Sequence, residues 1–332
     1  GRVGTPTTIA VALNGEGSRI NVNGKIDEVI KVRGVDAGVK AKFDSLSILS
    51  KLLKIDLSNL DTLDVSADIA SKEDTYTLSN IKADLAGEKL TVSVIGSIGD
   101  LLKVQDVSAS IDLKLESLKE LSEIAKMELP DLGPLKASAE VASSGDVFSA
   151  QKVNVDFADE QLQANISGSI SDLLKMNGIN ADIKIAVDTL SSLDKLVGQK
   201  LPDSGPLKLQ GNLGSKSGPG GPTMLSLNLA GEGVEVNIDG KVANLTGDRE
   251  VEVAFNLDAE SLARVGVLGG VDLPPIELLE VQGKLFVTGN SFKAEDVYAK
   301  LGNSDVRGEV GFTPADGVGS RPRVTGKLNF GE

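Results

Sequence analysis

Leu162-Gln-Ala-Asn-Ile-Ser-Gly168-Ser-Ile170 decides how this chain is to be read. Its apolar side chains fall on even numbers and its polar ones on odd numbers, the alternation of a β-strand with one dry face and one wet face. The same cadence stands at Leu90-Thr-Val-Ser-Val-Ile-Gly96-Ser-Ile98, at Val234-Glu-Val-Asn-Ile-Asp-Gly240-Lys-Val242, and earlier at Ile20-Asn-Val-Asn-Gly24-Lys-Ile26. The glycines at 24, 96, 168 and 240 are spaced by a constant 72 residues. Three leucine tracks keep that step: Leu46, Leu118, Leu190 and Leu262; Leu57, Leu129, Leu201 and Leu273; Leu63, Leu135, Leu207 and Leu279. A partial copy, Val306-Arg-Gly308-Glu-Val310, follows Gly240 after 68 residues instead. A fixed period of this length marks an array of stacked units, so residues 1–332 are read as one continuous repeat array.

Working outward from Gly168 gives the content of one unit. Before it, Val153, Val155 and Phe157 alternate with polar neighbours; with the Gly168 strand they read as a hairpin. After it, Ile179-Asn-Ala-Asp-Ile183-Lys-Ile185-Ala-Val187 makes a third strand and Leu207-Lys-Leu209-Gln-Gly211-Asn-Leu213 a fourth. Between these two the period changes. Asp188-Thr189 offers an N-cap, Leu190, Leu193 and Leu196 recur at helical spacing, and Pro202 bars continuation. The stripe recurs at Leu118, Leu121 and Ile124, and at Leu46, Leu49 and Leu52 or Leu53. The predicted fold class is mainly β with short helices: a tandem-repeat β-sheet array of about four strands and one helix per 72-residue repeat. With strands about 4.8 Å apart, a repeat would advance roughly 19 Å and the array would be elongated, roughly 90 Å long. Lys216-Ser-Gly-Pro-Gly-Gly-Pro222 and the Pro314–Pro322 stretch have turn composition and read as loops inside the array. Gly211-Asn-Leu-Gly214 is read as a strand end and turn.

Composition removes most catalytic chemistries. The 332 residues include no His, Cys or Trp, only 8 Phe and 2 Tyr, and 40% hydrophobic residues, so the interior is aliphatic. Without His and Cys the usual general base, the commonest metal ligand, thiolate nucleophiles and disulfides are all missing. The acidic residues show no calcium-loop spacing. The expectation is a protein that is not an enzyme and takes no metal or cofactor. A net charge of −14 argues against nucleic acid, which needs clustered Lys and Arg. No apolar run approaches the roughly 20 residues of a spanning helix.

The cadence Ser-Leu-x-x-Leu, the Leu-Pro-x-x-Gly-Pro-Leu of Leu129–Leu135 and Leu201–Leu207, Leu-Gly-Asn-Ser-Asp-Val-Arg-Gly at 301–308, and Arg-Pro-Arg-Val-Thr-Gly-Lys-Leu at 321–328 together resemble the AsmA family. The resemblance covers nearly the whole chain. It implies an envelope protein of diderm bacteria, lying in the periplasm and anchored to the inner membrane by a segment this chain lacks. It implies a long, folded-over β-sheet with an apolar groove along which phospholipid moves between inner and outer membranes in outer-membrane biogenesis. The expected partners are phospholipid or another acyl-chain lipid, the two membranes through regions outside this chain, and envelope proteins, with no nucleic acid. The chain itself reads as a periplasmic fragment of such a protein.

The expected lipid-binding face comprises Leu90, Val92 and Val94 with Ile111 and Leu113; Leu162, Ala164 and Ile166 with Ile183 and Ile185; and Val234, Val236 and Ile238 with Val253 and Phe255. Two readings of it stand open, a closed core beneath the helices or a partly open groove. Helices supply one short stripe per four strands, too little to cover a sheet face, and exposed contiguous apolar surface marks a binding site. The alternative function is a non-enzymatic scaffold or chaperone for outer-membrane protein assembly that works by strand-edge pairing. The apolar pairs Val29-Ile30, Leu101-Leu102 and Leu173-Leu174 recur between strands and are read as local packing rather than as contacts with a membrane or partner.

Overall fold

The computed structural model describes residues 6–46, 50, 60–122, 128–215, 221–243, 250–314 and 322–331. The expected helical residues Leu49, Leu52, Leu53 and Ile124, Leu57 of the leucine track, and most of the loops at 216–222 and 314–322 lie outside them. Nineteen strands are described, with short helices between some of them, so the chain is mainly β. The chain forms two compact units, Gly1–Asp159 and Glu160–Glu332.

The first unit holds β1 (Thr7–Gly15), β2 (Ser18–Ile26), β3 (Asp36–Phe43), β4 (Thr62–Lys72), β5 (Thr75–Ala86), β6 (Leu90–Asp100), β7 (Gln105–Leu115), β8 (Leu135–Ser144) and β9 (Val147–Ala158). Each pairs antiparallel with the next in sequence. The second unit is also a meander: β10 (Leu162–Asp172), β11 (Asn177–Val187), β12 (Leu207–Ser215), β13 (Thr223–Gly231), β14 (Val234–Ala243), β15 (Glu250–Ser261), β16 (Glu277–Thr288), β17 (Ser291–Leu301), β18 (Ser304–Thr313) and β19 (Arg323–Gly331).

The repeat glycines occupy every fourth strand: Gly24 in β2, Gly96 in β6, Gly168 in β10, Gly240 in β14 and Gly308 in β18. A Cβ at each would overlap a backbone carbonyl oxygen of the following strand, that of Asp36, Ser108, Asn180, Glu252 and Lys327 in turn. Close backbone approach, not a left-handed conformation, therefore fixes glycine at this rung. The short step to Gly308 also has a local cause. Leu85 pairs with Val92 across the β5–β6 turn, whereas Leu301 pairs with Ser304 across the β17–β18 turn. The four missing residues come out of that turn, and Gly308 keeps its place opposite Val297 as Gly96 does opposite Ile81.

Three of the repeats also carry a bulge that sequence periodicity does not display. Asn80, Lys152 and Asp296 adopt left-handed φ of 51°, 49° and 52°, where the register of β4–β5, β8–β9 and β16–β17 shifts. Each reaches a residue on the preceding strand: Asn80 Nδ2 donates to Asp68 (2.8 Å), Lys152 Nζ pairs with Glu140 (2.7 Å), and Asp296 with Lys284 (3.0 Å). At the equivalent place in β13, Met224 pairs with β12 without a register shift. Gly211 corrects the expectation of a turn. It lies inside β12, opposite Leu227, where the Ser226 carbonyl leaves no room for a side chain.

Among the described residues the helical segments fall on the expected stripes. After Ser117, whose hydroxyl accepts from the Lys119 amide and donates to Asp131 (2.6 Å), a 3-10 turn spans Leu118–Leu121. The next copy is a 3-10 turn, Leu190–Leu193, followed by one α-turn, Asp194–Val197, that ends at Gly198 in the left-handed region. Among the described residues the fullest helix is Leu262–Gly269, whose Leu262, Val265 and Leu268 pack on Val234, Ala259 and Leu279. In the first unit Leu118 and Leu121 pack on Leu46, Leu60, Leu90 and Leu115. The densest burial thus lies at the strand ends beside the helices. Burying such leucines contributes about 1.5–3 kcal/mol each.

Candidate functional site

Residues paired across an antiparallel ladder project to the same side, so the registers define the two faces. Val92 opposes Leu113 and Val94 opposes Ile111; Ala164 opposes Ile185 and Ile166 opposes Ile183; Val236 opposes Leu257 and Ile238 opposes Phe255. All of these are half-buried. Between them stand the other face's pairs, such as Ser93 with Asp112, Asn165 with Lys184 and Asn237 with Asn256.

The expected site residues separate into two groups. Leu90, Leu162 and Val234 begin their strands beside the helical segments and are buried, and Val253 is buried beside Gly240. Leu90, Leu162 and Val234 belong to the packed rim beside the helical segments, and Val253 is buried away from it, so none of the four is accessible surface. Val92, Val94, Ile111, Leu113, Ala164, Ile166, Ile183, Ile185, Val236, Ile238 and Phe255 lie further along the strands and keep part of their surface exposed. In β7 the gradient is plain: Val107, Ala109, Ile111 and Leu113 are half-buried, and only Leu115 is buried. A closed core would bury the middle of the strand as fully as its end.

Other strands extend this face. Ile81, Ala83 and Leu85 of β5 oppose Gly96, Val94 and Val92. Leu209 and Leu213 of β12 oppose Ile185 and Ala181, and Leu225, Leu227 and Leu229 of β13 continue from there. Leu209 and Leu213 stood in a run already read as a strand, and their alternation with Lys208 and Asn212 was the signal that should have added them. The β5 residues were harder to find, because the bulge at Asn80 shifts the parity of the strand in its middle.

The opposite face is polar and largely paired with itself. Lys42 meets Asp64 (3.0 Å), Lys241 meets Glu252 (2.7 Å), and Lys293 lies between Glu295 and Glu309. The hydrogen bond to Asp296 and its charge raise the Lys284 ammonium above its ordinary pKa. Shallow depressions open on this face. One of them, about 800 Å³, includes Gln282, Glu295, Tyr298, Arg307 and Lys327, with the Arg307 guanidinium 5.0 Å from the Tyr298 ring centre. Its mixed charges form no acid–base pair set against a nucleophile. Among the described residues no three His, Cys, Asp or Glu side chains gather as a metal site, and no helix is long and apolar enough to cross a membrane.

No family model, curated protein or solved structure matches the chain.

Proposed function

We propose that this chain binds the acyl chains of phospholipid along its aliphatic sheet face, as a lipid-transfer segment of an AsmA-type periplasmic protein. One observation carries the reading: strand after strand presents half-buried aliphatic side chains to one side, while most of the fully buried residues lie at the helix-proximal ends and only Ile26, Ala37, Ala150 and Val253 are buried hydrophobics further along the described strands. A surface of Val, Ile, Leu and Ala offers hydrocarbon contact without hydrogen-bonding demands, which suits fatty-acyl chains of variable length. The polar face would remain in water and keep the segment soluble. Phospholipid would then move between inner and outer membranes by sliding from repeat to repeat, through regions beyond this chain that reach both.

The test is a charge placed on the face. Ile166 opposes Ile183 in mid-strand, so Ile166→Asp sets a carboxylate among aliphatic side chains. Asn165→Asp, at an exposed position on the opposite face, is the control. In a full-length parent, Ile166→Asp should abolish lipid cross-linking and transfer while the chain still folds, and Asn165→Asp should leave both intact. Mass spectrometry of extracts from the purified chain should detect phospholipid. Transfer that survives Ile166→Asp in a folded chain refutes this groove. Reproducibly lipid-free extracts would favour the alternative scaffold for outer-membrane assembly.

A further inference from the structure

Three loops at the strand ends away from the helices share one construction. In the β2–β3 loop Val29, Ile30, Lys31 and Val32 follow Glu28; in β6–β7, Leu101, Leu102, Lys103 and Val104 follow Asp100; in β10–β11, Leu173, Leu174, Lys175 and Met176 follow Asp172. The step is again 72 residues. Packing was the expectation for these pairs, and the structure overturns it for their second members: Ile30 is 98% exposed, Leu102 70% and Leu174 75%. The residue after the lysine is exposed as well, and in all three loops it is left-handed: φ is 53° at Val32, 54° at Val104 and 52° at Met176. For a valine that conformation is unfavourable, and glycine or asparagine would relieve it. The side chains kept there remain 41–50% exposed.

The tips are braced. The Asp100 carboxylate accepts from the Leu102 and Lys103 amides (3.1 and 3.2 Å), and Asp172 accepts from the Lys175 amide (3.1 Å). Tyr76 donates to the Val32 carbonyl (2.8 Å), and Arg33 pairs with Asp74 (2.6 Å). A free hydrophobic side chain would collapse onto the nearby apolar face, and these turns prevent it.

We propose that the three tips are insertion points for the surface of a zwitterionic phospholipid bilayer. Each exposes two or three apolar side chains, far short of the roughly 800 Å² per partner that a stable protein interface needs. A fluid bilayer accepts such separated points, and within the first unit the binding of the two tips combines through avidity. The two tips of the first unit stand four strands apart, about 19 Å. The charge pattern selects the lipid. Each lysine pairs with the acidic residue three positions before it, Glu28, Asp100 or Asp172, so the tips bring little net charge to the interface. The chain's net charge of −14 opposes an anionic surface. Each lysine stem can lie among the acyl chains with its ammonium at phosphate level.

The inference is independent of the groove and is tested separately. The full chain should float with phosphatidylcholine vesicles. A combined Ile30→Ser, Leu102→Ser, Leu174→Ser variant, with unchanged circular dichroism, should partition about 100-fold less, roughly fivefold per tip. Because the chain has no tryptophan, Leu102→Trp gives a single reporter. Its emission should shift to the blue with vesicles and be quenched by brominated phosphatidylcholine. Ile166→Asp should float like the parent. Absence of flotation, undiminished flotation of the triple variant, or an unquenched Trp at 102 would each overturn the proposal. So would self-association in lipid-free sedimentation that the triple variant abolishes, because the tips would then bind a second copy of the chain.

Discussion

Replacing Gly168 by alanine tests the close strand approach that sets the repeat. The added Cβ would overlap the Asn180 carbonyl oxygen and stand 2.8 Å from the Ala181 Cα, both backbone atoms that no rotamer change can move. Restoring a carbon–carbon contact of about 3.5 Å requires the β10 and β11 backbones to part by at least about 0.7 Å, and clearing the nearer Asn180 oxygen requires more. That stretches neighbouring N–H···O bonds from about 2.9 Å to beyond hydrogen-bonding range. Two weakened bonds at about 1 kcal/mol each, plus strain of about 1–2 kcal/mol, are offset by about 0.5–1 kcal/mol from the more restricted unfolded chain. The expected net destabilisation is about 2–3 kcal/mol. Gly214→Ala in β12 is the control, since nothing lies nearer its Cβ than Asn180 Oδ1 at 3.4 Å, and it should be neutral within about 0.5 kcal/mol. Urea unfolding followed by circular dichroism gives the totals. Amide exchange should place the loss in β10 and β11, because stability in an array is carried by neighbouring units. If Gly168→Ala proves no more harmful than Gly214→Ala, the glycines are not held by backbone contact and the explanation of the period fails.

Lys152→Gly removes a left-handed lysine at the bulge and should stabilise the chain by about 1 kcal/mol in urea midpoints, because the exposed bridge to Glu140 contributes little. Ser117→Ala removes a buried N-cap that also donates to Asp131; it should cost about 1–2 kcal/mol and raise amide exchange at Lys119. The Asp100 carboxyl is held below its ordinary pKa by Lys103. At Asp172 burial pushes the pKa up, but the Lys175 amide and ammonium outweigh it and the net shift is also downward. A depressed folded-state pKa means that the stabilisation is present above about 3.9 and is lost as pH falls through the lower folded value. In an NMR titration the Lys103 and Lys175 amides should therefore shift with midpoints below the ordinary aspartate range, and midpoints at or above it would contradict the turn geometry.

Much of this fold could be read from period and parity. The 72-residue step located the glycine strands, their neighbours and the leucine stripes, because repetition averages out the ambiguity of any one segment. Parity failed where the backbone inserts a residue. In β9, Phe148 and Ala150 are even and Val153, Val155 and Phe157 odd, so the pattern looked like the start of a strand at Val153 when it is one strand with a bulge at Lys152. The candidate face was legible as chemistry but not as depth. Leu162 and Ala164 alternate identically in sequence, yet one is buried beside a helix and the other half-open, a difference that depends on where the helical segments settle. The tips were legible as motifs, but their exposure was not, since it depends on turns closed by Asp100 and Asp172.

The strictly sequential pairing of strands bears on how the chain acquires its structure. Within either unit no rung joins residues more than 38 positions apart, the widest being Glu250 with Thr288. Every ladder can close soon after its second strand leaves the ribosome, without waiting for a distant partner. Loop-closure entropy, which slows most all-β folds, is low at every step. Folding can begin in any repeat and spread to the next, so lengthening such a protein by duplicating 72 residues adds mass without adding a new kinetic barrier.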